Sequence, residues 1–222
     1  MLSDPPIVQT RGDHAVLQRK GFLLVDSGAT YLDGTTDITR TYPLGELTED
    51  ERLFYTWTLQ CHIDIAKAVW LDYCDCHMLD TIAREPLWRH LINYRCGTGH
   101  SVSHVGNVHE GPHALNGRNT TVFKPGMIVT DEPGVYEGGV VGIRIENELE
   151  CYHKASNQYG EFLAFRPVMF VPIATSPIVP GVLSRDELDW LNAYHREVFE
   201  KLAPRLTEDE RDWLAKKCAA IG

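Results

Sequence analysis

Five side chains able to hold a metal ion sit where apolar or β-branched runs end: Asp26 in LLVDSG, Asp37 in TTDITRT, His100 in GTGH, Glu132 in TDEPG and Glu146 in IRIEN. Asp26 follows Phe22-Leu23-Leu24-Val25, Glu132 follows Met127-Ile128-Val129, and Glu146 is flanked by Ile143, Ile145 and Leu149. A carboxylate desolvated beside such runs is costly unless something compensates its charge. One alone reads equally well as the end of a strand; three, with Asp37 and an imidazole, read as a site. Four carboxylates and one imidazole suit a pair of divalent ions, with two carboxylates bridging and the others capping each metal. Hard oxygen donors favour manganese, cobalt, iron or zinc over copper. Spacing does not by itself bring the five together, so the elements that carry them must.

The run GFLLVD predicts a buried strand over 21–26 that ends in a turn at Ser27-Gly28. In YLDGTTDITRTYPLG, Asp33-Gly34 marks a turn between two short strands. Thr48 and Glu51 form a capping box that opens a helix over about 49–69, with Leu53, Trp57, Cys61, Ile65 and Val69 along one face. A second helix is expected over about 78–91, where Pro86 marks a kink or a start. The Gly- and His-rich stretch 96–112 reads as loop, and strands are expected over 126–134, 139–153 and 162–173. Capping boxes at Ser184/Glu187 and Thr207/Glu210 open two further helices, over 183–202 and 207–219. Strands and helices mix without βαβ alternation, which points to an α+β fold. One domain over 1–222 is expected, with a C-terminal helical extension from about 183.

Lys and Arg number 21 against 31 Asp and Glu, a net charge of −10 in 222 residues. That balance argues against a nucleic-acid partner, whose recognition concentrates positive charge. No apolar run approaches the ~20 residues needed to span a bilayer, and the first residues lack a signal-peptide core, so no membrane partner is expected. The six cysteines form no CxxC pair and read as free thiols of a reducing compartment, consistent with a cytoplasmic protein.

The strings DSGATYLDGTTDITRT, GTGHSVSHVGNVHEGP, GMIVTDEPGVY and GIRIENE resemble the motifs of X-Pro aminopeptidases (aminopeptidase P), metallopeptidases with the pita-bread fold. The ordered Asp, Asp, His, Glu, Glu signature is matched at every position. So are the eleven-residue step from Asp26 to Asp37 and the fourteen-residue step from Glu132 to Glu146. VHEGP with GIRIEN favours this branch over methionine aminopeptidase, and the resemblance continues through FRPVMFVPI and DELDWLNAYH. It implies an α+β pita-bread fold and a dinuclear site that releases an N-terminal residue preceding proline. The two divalent ions would most readily be Mn2+, with Co2+, Zn2+ or Fe2+ as alternatives. A prolidase-like dipeptidase and a non-catalytic, metal-stabilised interaction module are the competing expectations.

The same resemblance implies the roles of individual residues. Asp26 and Asp37 would bind one metal, with Asp37 bridging. His100 and Glu132 would bind the second, and Glu146 would bridge both. Glu132 would also accept and donate protons. His109 would contact substrate and steady the oxyanion, and Arg144 would orient a metal carboxylate and help to bind substrate. The chain departs from the family pattern at Cys96, where the family has a histidine that a thiol replaces poorly. It departs again at Ser101 and Ser103, which stand for glycines, and at the additional His104. PPIVQTRGDHAVLQRKG reads as an N-terminally shortened lead-in, with His14 as the candidate for a further substrate-contacting histidine. Such shortening would expose apolar sheet surface, so that a partner subunit, a separate chain or reduced stability would follow. The resemblance implies a homodimer, because this branch of the family associates through its catalytic domain.

Overall fold

Two long strands, β1 (Phe22–Tyr31) and β2 (Gly34–Pro43), form an antiparallel hairpin in a computed structural model that describes residues 16–222. His14 lies outside the described residues. The register pairs Asp26 with Thr39 and Gly28 with Asp37, so Asp26, Asp37 and Thr39 share one face. No turn occurs at Ser27-Gly28, contrary to expectation; β1 runs through to Tyr31. Gly28 serves close approach instead, since a Cβ there would lie 2.9 Å from the Thr36 carbonyl oxygen.

Helix α1 (Glu49–Ala66) opens with the expected capping box: Glu51 N–H donates to Thr48 Oγ1 at 3.2 Å, and Thr48 N–H donates to Glu51 Oε2 at 2.7 Å. It ends short of Val69, which instead begins β3 (Val69–Leu71). Asp75 caps α2 (Cys76–Trp88), whose last turn contains Pro86. The glycine-rich region is mostly loop, interrupted by two short strands, β4 (Gly99–His100) and β5 (Ala114–Leu115). After them come β6 (Ile128–Asp131) and β7 (Gly134–Glu137).

The long strand expected over 139–153 is broken into β8 (Val141–Arg144) and β9 (Asn147–Asn157). The chain leaves one ladder for another here: β8 pairs with β7, whereas β9 pairs with β6 and with β10 (Gly160–Pro167). Glu146 sits in the step between them, its N–H donating to the Thr39 carbonyl at 3.1 Å. The strand expected over 162–173 ends at Pro167, because the carbonyls of Val171 and Pro172 turn to the Arg40 guanidinium. Capping boxes open α3 (Arg185–Leu202) and α4 (Glu208–Lys217) as expected.

The antiparallel sheet β3-β10-β9-β6 packs one face on α1 and α2, through Ile65, Leu79, Phe123, Val129, Leu149 and Phe165. A second apolar cluster, including Tyr55, Leu59, Ile143, Leu191 and Val198, joins α1, β8 and α3. Burying each such aliphatic side chain contributes ~1.5–3 kcal/mol, which fixes the strand ends against the helices. On β9, Leu149 and Cys151 face this core, so Glu148 and Glu150 project from the opposite face. All six cysteines are free. Among the described residues no helix is long and apolar enough to cross a membrane.

Candidate metal centre

Asp37, His100 and Glu146 each present a ligand atom, and these atoms lie within 4.8 Å of one another. His100 Nε2 is 3.5 Å from Asp37 Oδ2 and 3.1 Å from Glu132 Oε1. Arg144 donates through Nη2 to Asp26 Oδ2, and its Nε lies 3.9 Å from carboxylate oxygens of both Glu132 and Glu146. The His109 ring stands edge-on to His100 with centroids 4.1 Å apart, in a cleft it shares with Asp26 and Asp37. Within the described residues, the seven side chains given metal, proton-transfer or substrate roles therefore fall in one cluster, with half-exposed Asp26 its outermost member.

Local structure explains the convergence. Gly99 lets β4 press against β6, where any Cβ would overlap the Thr130 carbonyl. His100 N–H then donates to Thr130 Oγ1 at 2.9 Å, and Thr130 Oγ1 donates to Glu132 Oε1 at 3.0 Å. Glu132 N–H donates to the Thr98 carbonyl at 2.7 Å, and Thr98 Oγ1 donates to buried Asp80 of α2 at 2.5 Å. Behind the cluster, the buried Arg40 guanidinium donates to the Glu146 carbonyl, to Asn147 Oδ1 at 2.8 Å and to Tyr194 Oη at 2.9 Å. His62 Nδ1 of α1 lies 2.9 Å from Asp131 Oδ2, next to Glu132, and both side chains are fully buried.

With its four carboxylates ionised, a cluster that holds one guanidinium and two imidazoles keeps negative charge in excess even if both rings carry a proton. Burial pushes the Glu146 carboxyl well above its ordinary range, and the nearby Glu132 and Asp37 charges push the same way. Burial raises Asp26 too, against the pull of Arg144. At His100 burial disfavours the charged ring, but hydrogen bonds to Asp37 and Glu132 outweigh it and hold the imidazole up at about 10. These are the signs of a site short of positive charge. With its oxygen-rich donor set, the cluster fits hard or borderline divalent cations.

Three contributors were not apparent from the sequence. Thr39 donates to Glu146 Oε2 at 2.5 Å and accepts from Arg144 Nε at 2.9 Å. Thr130 bridges His100 and Glu132 as described. Tyr136 Oη accepts from Arg144 Nη1 at 2.6 Å. Thr39 and Thr130 each lie two residues from a candidate ligand, on its face of the strand, and that alternation was the available signal. Tyr136 had none, because its approach depends on the β7–β8 register. Cys96 is exposed and donates weakly to the Gly134 carbonyl at 3.6 Å.

The sequence pattern of metallopeptidase family M24 matches residues 5–152, and that of the C-terminal region of peptidase M24 matches 161–221. A probable Xaa-Pro aminopeptidase P of Laccaria bicolor is 40% identical over 217 residues, which cover 94% of this chain and 34% of the relative. The X-prolyl aminopeptidase of Caenorhabditis elegans, described as a cytosolic enzyme with a di-nuclear active site, superposes with a TM-score of 0.83 at 40% identity. That match covers 89% of this chain and 33% of the other. A prolidase from Pyrococcus furiosus superposes with a TM-score of 0.57 at 28% identity, over 67% of this chain and 41% of its own. The chain thus spans about a third of the curated relative it matches.

Proposed function

The chain belongs to metallopeptidase family M24 and has an α+β pita-bread fold; from that premise we propose that it is a dinuclear aminopeptidase releasing a residue that precedes proline. The observation that carries the reading is the convergence of Asp37, His100 and Glu146 with Glu132 and Asp26 around one charge-deficient centre. In this reading Asp26, Asp37, His100, Glu132 and Glu146 hold two divalent ions, manganese first. Bound there, the ions would polarise the scissile carbonyl and make a water acidic enough to deprotonate near neutrality.

The chain's own residues supply the rest. Glu132, one of its oxygens already accepting from Thr130, takes the proton of the attacking water and returns it to the leaving amine. His109 donates to the oxygen on which charge develops. Arg144 holds Asp26 and Tyr136 in place and, in this reading, contacts the substrate. Cys96 supplies no imidazole at its position, which lowers turnover without removing any ligand.

One domain over 1–222, with its helical extension from about 183, a homodimeric state and a cytoplasmic location complete the proposal. The similarity of the cytosolic nematode enzyme supports the location. The relatives' names support a peptidase over an interaction module, and the higher TM-score of the aminopeptidase supports it over a prolidase. The test is manganese-dependent release of the first residue from Ala-Pro-Ala, compared with Ala-Pro. Release from the tripeptide supports the proposal; metal binding without release, or cleavage of the dipeptide alone, contradicts it.

A further inference from the structure

A second cavity, of about 710 Å3, adjoins the metal-centre cleft and shares Thr35 and Thr36 with it. Its size lies within the ~300–1,000 Å3 of small-molecule sites. Three lining residues carry a side-chain atom with no hydrogen-bond partner among the described residues: Glu148 Oε1, Ser103 Oγ and His113 Nδ1. These side chains are buried, the residues being 5%, 6% and 6% exposed. His113 Nε2 lies 2.7 Å from the Ile128 carbonyl, so it donates there and leaves Nδ1 as an acceptor. The cavity thus gathers a carboxylate oxygen, an imidazole lone pair and a hydroxyl, all able to accept. Asp33 adds negative charge, and among the described residues no lysine or arginine lines the wall. Met127, Ile128, Val168 and Met169 supply an apolar surface for a methylene stem.

Buried acceptors without donors are costly, and a ligand rich in N–H groups relieves several at once. We infer that this cavity binds the guanidinium or ammonium group of a basic side chain, borne by a peptide whose scissile bond lies at the neighbouring metal centre. The peptide part of the inference rests on the proposed activity; the cation site does not. It gives Ser103 and His113 a role that the metal centre does not use.

The test is calorimetric titration of n-butylguanidinium and its neutral isostere n-butylurea into the chain, with manganese saturating. The unmodified chain is expected to bind the guanidinium at least tenfold more tightly, and Glu148→Gln to abolish the difference. Met127→Trp, which fills the cavity from another wall, should weaken both probes and provides the test should Glu148→Gln fail to fold. Equal affinity for the two probes, or discrimination that survives in the folded variants, overturns the site. Comparing kcat/KM for Arg-Pro-Ala, Ala-Pro-Arg and Ala-Pro-Ala then identifies which residue carries the cation. Guanidinium preference without any turnover upholds the site and overturns the peptidase reading. Turnover with no Glu148-dependent preference for either basic peptide overturns the site alone.

Discussion

Replacing Gly99 by alanine should dismantle the metal centre while leaving most of the fold in place. An ideal Cβ at position 99 lies 1.8 Å from the Thr130 carbonyl oxygen and 2.7 Å from its carbon. Even a 3.0 Å contact requires β4 to withdraw from β6 by about 1.2 Å. His100 is the next residue, and its bond to Thr130 Oγ1 and its 3.1 Å approach to Glu132 do not survive such a shift. Overpacking of this kind costs ~1–3 kcal/mol. At roughly 2–4 °C per kcal/mol for a chain of this size, Tm falls by about 2–12 °C. Metal affinity should fall by more than the ~10–100-fold typical of disturbing a ligand's supporting partners, because a ligand itself moves. Calorimetric titration with manganese and thermal unfolding of the metal-free chain measure the two effects separately. A variant with unchanged affinity and Tm would refute the argument that Gly99 sets the approach of His100.

Arg144→Lys loses the fork that joins Asp26, Tyr136 and Thr39; kcat/KM against a tripeptide should fall about 10–100-fold, since hydrogen bonds to charged groups are worth ~1.5–3 kcal/mol. Leu91→Gly should stabilise the chain by ~0.5–1 kcal/mol in urea unfolding: Leu91 holds φ at 59° while 97% exposed, so glycine relieves backbone strain and sacrifices little packing. Burial and the Arg40 charge depress His195 to about 4, while its Nε2 accepts from the Ile173 N–H at 3.1 Å. The unfolded chain, with this histidine near ~6.5, then binds the proton more readily. Stability is therefore fully present above pH ~6.5 and is lost as pH falls toward 4, by ~3 kcal/mol from this group. His195→Gln should flatten that part of the urea-unfolding profile of the metal-free chain; an unchanged slope between pH 6.5 and 4.5 contradicts the assignment.

The helices were legible because their signals are local. Thr48/Glu51, Ser184/Glu187 and Thr207/Glu210 satisfy their own chain ends, and the helices they predict begin where expected. The strands were legible in composition but not in extent. Ser27-Gly28 carries a turn signal, yet ten paired residues of β2 hold β1 straight through it. The Arg144–Glu146 stretch alternates as one strand, yet the pairing partners change within it, and no periodicity encodes which ladder a residue joins. Candidate ligands could be picked out because several carboxylates abut apolar runs and, with His100, match an ordered Asp, Asp, His, Glu, Glu signature. Their supports at Thr39, Thr130 and Tyr136 depend on cross-strand register, which only the fold supplies.

The most direct test of the central claim is a diffraction measurement of the manganese-soaked chain, with anomalous scattering to locate the metal. The account predicts two manganese peaks between Asp26, Asp37, His100, Glu132 and Glu146, with Arg144 on Asp26 from outside. A single peak elsewhere, or no peak among these five side chains at saturating manganese, would contradict it.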